Sequence, residues 1–448
     1  MTTINRRGLL LGGLGVAAGA AGAVALDTAA AAPAVAAASA GATVAQSAAP
    51  SSAAGRALAA GSAGVFNPFL RQSTLYSYGH SFTVVPSPYC TPDRGEYPLR
   101  LKELIGFADV VPFGRGATYL PDTLALALNG IRATDKDRTW PGLATIASSE
   151  HAHGVNNDPD HRSMPRGVVT IQNYLNETGD THPWAHTPEY VEFWSHCLRS
   201  LIAVVSSKGQ KASTVDVGST APGGHAWQTM SSAQYVNMFP GGHLFRSNQV
   251  GDWRQFRVSG DECWILIFAA LSTTATRGLD VYVGNTKIQE IDPTGMMAPY
   301  TSVIADSAGL NLWPLAVRVT GLNAAAGTAD FKTVQVRVAN RGSGWGFLST
   351  ALFPRKTPPE VFVAYEPVRR NVTDWPARTA MYRAAIDQVV SEFTNVHAVD
   401  LEDGWDLEAM TLAGDIHPND RGQVHIADRF VEAINDNVTD FTNGIAII

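Results

Sequence analysis

The sequence predicts an α/β fold with a parallel sheet that is interrupted by an inserted all-β domain, a β-sandwich. Strand-like and helix-like segments alternate before about residue 212 and again after about residue 357, which is typical of a parallel α/β sheet. Between these parts, short β-rich runs follow one another with turn clusters and without helices, which favours a sandwich. Because the α/β pattern resumes after the β-rich part, the latter is predicted to be an insertion within one domain.

The first α/β part opens with a strand that ends in a glycine turn, with Ser81 at the tip of the turn. A segment with apolar residues at helical spacing follows and is closed by Gly106, and then comes a short β-type run. A buried-strand pattern and a long helical pattern complete this part. These elements are predicted at 74–82, 97–106, 108–113, 167–174 and 190–207.

The β-rich part and the second α/β part follow the same rules of periodicity. Strands of the insertion are expected at 264–268, 279–283 and 334–338, separated by clusters of glycine and asparagine. Beyond residue 357 the pattern is strand, helix, strand, helix. These last four elements are predicted at 359–365, 377–393, 396–401 and 423–435.

The N-terminal region has the composition of an export signal. Arg6 and Arg7 precede a glycine-interrupted apolar run that ends near Ala25, and the arginine pair is typical of the twin-arginine type. This run is too short for a membrane span. Residues 26–64 are almost entirely Ala, Ser, Gly, Pro, Val and Thr, with no aromatic residue and few charges, so they have little to bury.

The resulting domain organisation divides the 448 residues into five parts. We expect an export signal at 1–25, a linker at 26–64, a catalytic domain in two parts at 65–212 and 357–448, and the inserted β domain at 213–356. A net charge of −7, without a Lys/Arg run after the signal, argues against a nucleic-acid partner.

The number and spacing of the cysteines limit the disulfides and metal sites that the chain can form. The chain has three cysteines, Cys90, Cys197 and Cys263, and no CxxC spacing, so no familiar thiolate metal site is predicted. An exported chain allows one disulfide among them, and at least one thiol stays unpaired. Cys197 lies in a helical pattern, where a buried structural thiol is expected.

Two distant segments together contain the side chains of a serine hydrolase. Ser81 follows a strand, and Asp415 and His417 precede the last predicted helix. A serine hydroxyl becomes a nucleophile when an imidazole takes its proton, and a carboxylate orients that imidazole. Acyl transfer also needs donors to the developing oxyanion, and Gly116 and Asn173 follow the next two strands. Either residue could serve only as a turn or strand-end residue, but their common place at the carboxyl edge of one sheet favours a role in the active site.

The order Ser81, Gly116, Asn173, Asp415, His417 resembles the SGNH (GDSL-type) hydrolase family over about 65–212 and 357–440, most of the mature chain outside the insertion. The segment His417-Pro418-Asn419, with Gly422 and a helix after it, is the most specific match. The resemblance implies a three-layer α/β/α domain. It also implies that Ser81 is nucleophile and backbone oxyanion donor, that Gly116 and Asn173 complete the oxyanion hole, that His417 is the base and that Asp415 orients it.

The chain departs from the family pattern at three places. His80 stands where the family has an aspartate, and Asn173 lies in Ile171-Gln172-Asn173-Tyr174 rather than in Gly-x-Asn-Asp. Gly414 occupies the usual position of the acid, three residues before the histidine. The alternatives for the acid are Asp403 and Asp406, and the alternative for Gly116 is Gly114.

A second cluster of polar residues could bind a metal ion, but it is better explained as a polar loop of the active site. It lacks a helical His-x-x-x-His with a glutamate and any cysteine pair, so no metal site is predicted. Its members near Asn173, His182 and His186, are expected to line the substrate cleft. The full cluster is Glu150, His151, His153, Asp158, Asp160, His161, His182 and His186.

The expected function is that of a secreted or cell-envelope serine esterase of bacterial type that works without a cofactor. By resemblance, the expected substrate is an O-acetyl or other short-chain ester on a carbohydrate or cell-envelope glycan. Three alternatives stay open: a lipase or other lipid-ester hydrolase, a catalytically inactive glycan-binding surface protein, and a transacylase. A preference for long acyl chains would indicate a lipase. Failure of an organophosphonate to label Ser81 would favour the inactive binding protein, and acyl transfer to an added alcohol would reveal a transacylase.

Overall fold

The computed structural model describes a large part of the chain. These residues all fall within one compact unit, Ala59–Ile448. The described residues are 66–83, 96–114, 118–129, 167–207, 212–222, 227–230, 238–239, 243–300, 312–322, 331–354 and 358–439. The predicted export signal and linker, Cys90 and Gly116 lie outside them.

The strands and helices are numbered here in chain order within the described residues. The strands are β1 (Thr74–Gly79), β2 (Asp109–Gly114), β3 (Gly167–Gln172), β4 (Ser213–Ser219), β5 (Gln228–Thr229), β6 (Phe245–Ser247), β7 (Asp252–Ser259), β8 (Glu262–Ala270), β9 (Arg277–Val283), β10 (Thr286–Ile291), β11 (Leu312–Thr320), β12 (Phe331–Gly342), β13 (Gly346–Leu352), β14 (Glu360–Tyr365) and β15 (Val396–Asp400). The α-helices are α1 (Tyr97–Leu101), α2 (Leu120–Asn129), α3 (Pro188–Ser207), α4 (Trp375–Ser391), α5 (Leu407–Met410) and α6 (Asp420–Asn437). A π-helical segment, Lys102–Gly106, continues α1, and short 3₁₀ turns cover Pro68–Leu70 and Pro183–His186.

A five-stranded parallel sheet organises the α/β part. Its strand order is β15-β14-β3-β1-β2, so it draws strands from before and after the β-rich region. Every residue of β1 and β3 is buried, as expected of central parallel strands. The mixed α/β content with a parallel sheet and separate antiparallel sheets is thereby confirmed.

The two faces of the parallel sheet belong to two different buried clusters. Leu75 of β1 and Val168 of β3 belong to a buried cluster with Phe430 of α6. The following residues, Tyr76 and Val169, point to the opposite face and belong to a larger cluster with residues of α2, α3 and α4. This alternation follows from the two-residue period of a strand.

Helix α2, of 10 residues, was not predicted from the periodicity. Most of its side chains are buried, including Leu120, Leu124 and Leu128. The polar side chains of Asp122 and Thr123 are buried with them, so this helix does not show the usual division into an apolar and an exposed polar face. The predicted loop after β2 therefore ends in a helix.

The β-rich region forms two five-stranded antiparallel sheets, ordered β10-β9-β12-β7-β4 and β11-β8-β13-β6-β5. The sheets pack against each other at Gly346, where an added Cβ would lie 3.1 Å from side-chain carbons of Leu279 and Val338 on the other sheet. Ala212 N donates to Ala351 O at 2.9 Å, so the chain enters and leaves this region at neighbouring points. The boundaries 213 and 356 stay predictions.

The tryptophan side chains of the β-rich region differ in their burial. Trp264 and Trp313 are fully buried, whereas Trp253 and Trp345 are partly exposed. Cys197 and Cys263 are buried free thiols, in agreement with the structural role expected of Cys197. Within the described part, no helix combines the length and the apolar character that crossing a bilayer requires.

Candidate active site

A tight turn after β1 carries Ser81. Thr83 N donates to His80 O at 3.1 Å, and Phe82 N donates to the Nδ1 atom of His80 at 3.3 Å. Gly79 is required before this turn, because a Cβ there would lie 2.1 Å from Thr83 Oγ1. The glycine of the Gly-x-Ser pattern therefore allows the backbone to lie close to the side chain of Thr83.

The turn is tied to the end of the neighbouring strand β3. Gly79 and Gln172 are register partners, and Thr83 Oγ1 donates to Gln172 Oε1 at 3.2 Å. Ser81 and Asn173 thus lie just beyond the carboxyl ends of adjacent parallel strands, the edge where open α/β sheets bind ligands. The sequence predicted this neighbourhood from strand ends alone.

Two hydrogen-bond donors at this edge have no partner among the described residues. The Oδ1 atom of Asn173 accepts from Thr123 Oγ1 at 3.3 Å, while its buried Nδ2 atom donates to none of them. The backbone N–H of Ser81 likewise has no partner there, although those of Phe82 and Thr83 are bonded within the turn. Unpaired buried donors are rare in proteins and suit a site that receives an anionic oxygen.

His417 and Asp415 form a hydrogen-bonded pair just before α6. The Nδ1 atom of His417 lies 2.7 Å from Asp415 Oδ1. The same oxygen accepts from the backbone N–H groups of Ile416 at 2.6 Å and His417 at 3.2 Å. Partial burial acts to raise the pKa of Asp415, but these hydrogen bonds outweigh it and hold the pKa below its usual value.

The loop before His417 explains the unusual spacing of the acid. Gly414, at the position where the family has its acid, has φ of +73°, a left-handed conformation that favours glycine. Asp415 N donates to Leu412 O at 3.1 Å and Leu412 N donates to His417 O at 3.0 Å, which closes a compact loop. Within this loop, the residue two before the histidine is the one that meets its Nδ1 atom.

Side chains connect the histidine segment to the serine turn. The rings of Phe82 and His417 have centroids 5.9 Å apart. Gln423, on the first turn of α6, donates from Nε2 to Phe82 O at 3.3 Å and accepts from Tyr97 N at 2.8 Å. The turn that carries Ser81 and the segment that carries His417 are therefore neighbours, although 336 positions separate these two residues in the sequence.

The alternative acids have other partners. Asp403 lies 3.3 Å from Arg429, and the Oδ1 atom of Asp406 accepts from two backbone N–H groups at the start of α5. Gly114 is the last residue of β2, and Gly116 lies outside the described residues. The choice between these two glycines therefore stays a prediction.

The described histidines of the histidine-rich cluster contact a tyrosine side chain and a backbone carbonyl. His182 Nε2 lies 2.9 Å from Tyr119 Oη, and His186 Nε2 lies 3.0 Å from the carbonyl oxygen of Glu177. Burial, with the charge of Arg369 as the next cause, lowers the pKa of His182. No group of three or more potential ligand side chains suited to a metal ion occurs within the described residues.

One polar residue of this edge was missed by the sequence analysis. Glu366 directly follows β14, is fully buried and contacts His80 at 3.0 Å. An acidic residue immediately after a buried parallel strand was the signal that could have identified it.

No protein-family model matches the chain, and no curated protein matches it. Among solved structures, the porcine torovirus hemagglutinin-esterase is 9% identical, with a TM-score of 0.36, over 82% of this chain and 86% of that one. A two-domain esterase (CEX) active on acetylated mannans, co-crystallised with mannopentaose, is 10% identical, with a TM-score of 0.27, over 64% of this chain and 91% of that one.

The Agl-KA catalytic domain is also similar, at 13% identity and a TM-score of 0.25. That similarity covers 42% of this chain, which spans only 35% of the Agl-KA chain. Esterases are thus present among the similar structures.

Proposed function

We propose that the protein is an exported SGNH-type serine esterase with a three-layer α/β/α catalytic domain, and that it hydrolyses short acyl esters on carbohydrates. The proposal is supported by the place of Ser81 and two unpaired donors at one sheet edge and by the contact of His417, which pairs with Asp415, with the neighbouring Phe82. The carbohydrate preference is supported by the family resemblance together with the attached antiparallel sheets.

His417 would act as base and then as acid. With its Nδ1–H donated to Asp415, the unprotonated ring nitrogen is Nε2, which would take the proton from Ser81 Oγ as that oxygen attacks the ester carbonyl. The oxyanion of the tetrahedral intermediate would receive hydrogen bonds from Ser81 N, Asn173 Nδ2 and, by resemblance, Gly116 N.

Collapse of this intermediate would release the alcohol and leave an acyl group on Ser81. His417 gives its proton to the departing oxygen, and the C–O bond to the alcohol breaks. A water molecule then loses a proton to His417 and attacks the acyl carbon. Breaking the bond to Ser81 Oγ releases the carboxylic acid and restores the serine hydroxyl.

Hydrolysis of p-nitrophenyl esters from acetate to octanoate by protein from residue 65 onward tests the proposal. We expect activity that falls steeply with acyl length and that Ser81→Ala abolishes, with Ser77→Ala, in the strand before the turn of Ser81, as the control. Activity that rises toward long chains would replace the carbohydrate preference by a lipid one. Absence of hydrolysis and of phosphonate labelling at Ser81 would overturn the proposal.

Export is tested separately. In a bacterial host with a twin-arginine system, we expect the full chain to reach the extracytoplasmic fraction and the Arg6→Lys/Arg7→Lys variant to stay inside the cell. Equal export of both proteins would contradict the twin-arginine assignment.

A further inference from the structure

A second histidine–carboxylate pair lies directly beside Ser81 and has no role in the proposed reaction. His80 Nε2 and Glu366 Oε1 are 3.0 Å apart, and the two side chains are 1% and 0% exposed. His80 precedes the nucleophile, whereas Glu366 follows β14, two strands away in the parallel sheet. The pair therefore links the serine turn to a distant strand end.

The hydrogen bonds of His80 determine where its ring proton lies. Its Nδ1 atom accepts the backbone N–H of Phe82 at 3.3 Å, and an accepting ring nitrogen carries no proton. The proton is therefore on Nε2, which donates it to Glu366. Because both ring nitrogens are bonded, His80 has none to offer as a base for Ser81.

These contacts hold the turn in one arrangement of its N–H groups. The ring of His80 accepts a hydrogen bond from the N–H of Phe82, and its carbonyl oxygen accepts one from the N–H of Thr83. Ser81 is the residue of 81–83 whose N–H has no partner within the described residues. The ring of His80 thus keeps Phe82 N bonded and leaves Ser81 N for an incoming oxygen.

Glu366 extends the link to the segment of Asn173. Its backbone N–H donates to the Oη atom of Tyr174 at 2.7 Å, and Tyr174 directly follows Asn173. Its Oε2 atom has no hydrogen-bond partner within the described residues. Burial of an incompletely bonded carboxyl group is costly, so packing alone does not explain its presence at this position.

We propose that His80 and Glu366 are positioning residues that orient Ser81 and its backbone N–H for acyl transfer, in place of the aspartate that the family resemblance leads us to expect at position 80. This inference rests on the proposed function for its kinetic consequence. Its geometric content, the hydrogen-bonded state of His80, is independent of that function.

Exchange of the two polar groups tests the proposal. An aspartate at position 80 can accept the N–H of Phe82, but it places a second carboxylate against Glu366, and like charges at a buried site repel. A neutral glutamine at position 366 removes this repulsion. His80→Asp should therefore be rescued by Glu366→Gln in the double variant.

We expect His80→Asp to lower kcat by about 100-fold with little change in KM, and Glu366→Gln by less than about fivefold. The double variant should return to within about tenfold of wild type, a coupling that a double-mutant cycle measures. His80→Ala should not be rescued by Glu366→Gln. Thermal unfolding of each variant establishes that it is folded at the assay temperature.

Absence of rescue in a folded double variant, or an unchanged kcat in folded His80→Asp, would overturn the proposal. If the wild-type protein hydrolyses no ester, nitrogen NMR of histidine-labelled protein still decides the geometry. We expect one imidazole, absent from His80→Asn, to carry its proton on Nε2 and none on Nδ1. A proton on Nδ1 of this ring would overturn the proposal whatever the activity.

Discussion

Asp415 meets the imidazole of His417 through one oxygen that also accepts two backbone N–H groups. Such a carboxylate is fixed in direction, so it fixes the ring that it holds. We expect Asp415→Asn to lower kcat by about 10²–10⁴-fold, because an amide favours the wrong ring tautomer.

Asp403→Asn is the matched control for this prediction, since Asp403 is largely exposed and lies against Arg429. Its kcat should stay within about twofold of wild type, as expected for a surface ion pair. Steady-state kinetics on p-nitrophenyl acetate measure both. A larger loss of kcat in Asp403→Asn than in Asp415→Asn would indicate that Asp403, and not Asp415, orients His417.

Glu177 is a fully buried acid whose protonation should be visible in stability. Its Oε1 atom accepts from Leu120 N at 2.8 Å, and Oε2 has no partner within the described residues. Burial is the largest cause that raises its pKa well above the usual value. A raised pKa in the folded state means that stability is fully present below the unfolded-state pKa and is lost as pH rises through the folded-state pKa.

Glu177→Gln removes this titration and keeps an oxygen for Leu120. Each pH unit between the two pKa values costs the wild-type protein about 1.4 kcal/mol, so the variant should gain relative to wild type as pH rises from about 4 to neutral. Denaturant unfolding at several pH values measures the difference. A difference that does not vary with pH would contradict a buried, raised-pKa carboxyl group.

Two residues, Asn419 and Gly422, fix the start of helix α6, which begins three residues after His417. Asn419 caps the helix, its Oδ1 accepting from Arg421 N at 2.9 Å and Gly422 N at 3.2 Å. Its Nδ2 donates back to Ala409 O and Thr411 O, at 3.0 and 3.2 Å. One side chain thus joins the helix start to the segment ahead of the loop that carries Asp415 and His417.

Gly422 lets the first turn of α6 pack against α5. A Cβ at this position would lie 2.3 Å from Met410 O and 2.7 Å from Pro418 Cβ. We expect Gly422→Ala to lower the free energy of unfolding by about 1–3 kcal/mol, because backbone must move to admit the methyl group. Chemical denaturation measures this loss.

Val424→Ala, two residues further along α6, is the control for helix propensity. Val424 is exposed, and alanine is the better helix former, so this variant should be as stable as wild type or slightly more so. Equal stability of Gly422→Ala and Val424→Ala would show that the close approach at Gly422 is unimportant.

Local patterns predicted most elements, and the limits of prediction lie where contacts are distant in sequence. Ser81 and Asn173 were placed together because strand ends of a parallel sheet share an edge. The pairing of His80 with Glu366 spans 286 positions, so no local pattern shows that these two residues meet. Helix α2 was missed because it is short and because Asp122 and Thr123, which are buried polar residues, interrupt its apolar pattern.

The spacing of Asp415 shows a different limit. The family pattern has its acid three residues before the histidine, where this chain has Gly414, and the sequence analysis chose Asp415 as the nearest carboxylate; only the loop through Gly414 shows how a residue two before His417 reaches Nδ1. Loop geometry of this kind depends on one left-handed residue, whose conformation periodicity does not reveal.

At the scale of the molecule, α3 connects the parallel sheet to the antiparallel sheets. Fifteen of its 20 residues are buried, so neighbours cover it on nearly every side. Ser200 Oγ accepts from Ala316 N of β11 at 2.9 Å, and Arg318 of β11 donates to Glu392 O, at the end of α4, at 3.0 Å. A shared apolar cluster contains residues of both parts.

This shared core predicts that the two parts unfold as one cooperative unit. Cys197 in α3 and Cys263 in β8 are both buried, so the heat-induced exposure of each thiol reports on one part. Alkylation followed by peptide mass spectrometry should give the same midpoint temperature for both thiols.

Leu315→Ala, in β11 beside Ala316, should lower both midpoints by the same amount, because it removes about 2–5 kcal/mol of buried packing from a core that both parts share. Val217→Ala, on the exposed surface of β4, is the control and should leave both midpoints near the wild-type value. If Leu315→Ala exposed Cys263 at a lower temperature than Cys197, the antiparallel sheets would be an independent folding unit. Equal shifts would instead mean that the β-rich region stabilises the sheet edge on which Ser81 and Asn173 lie.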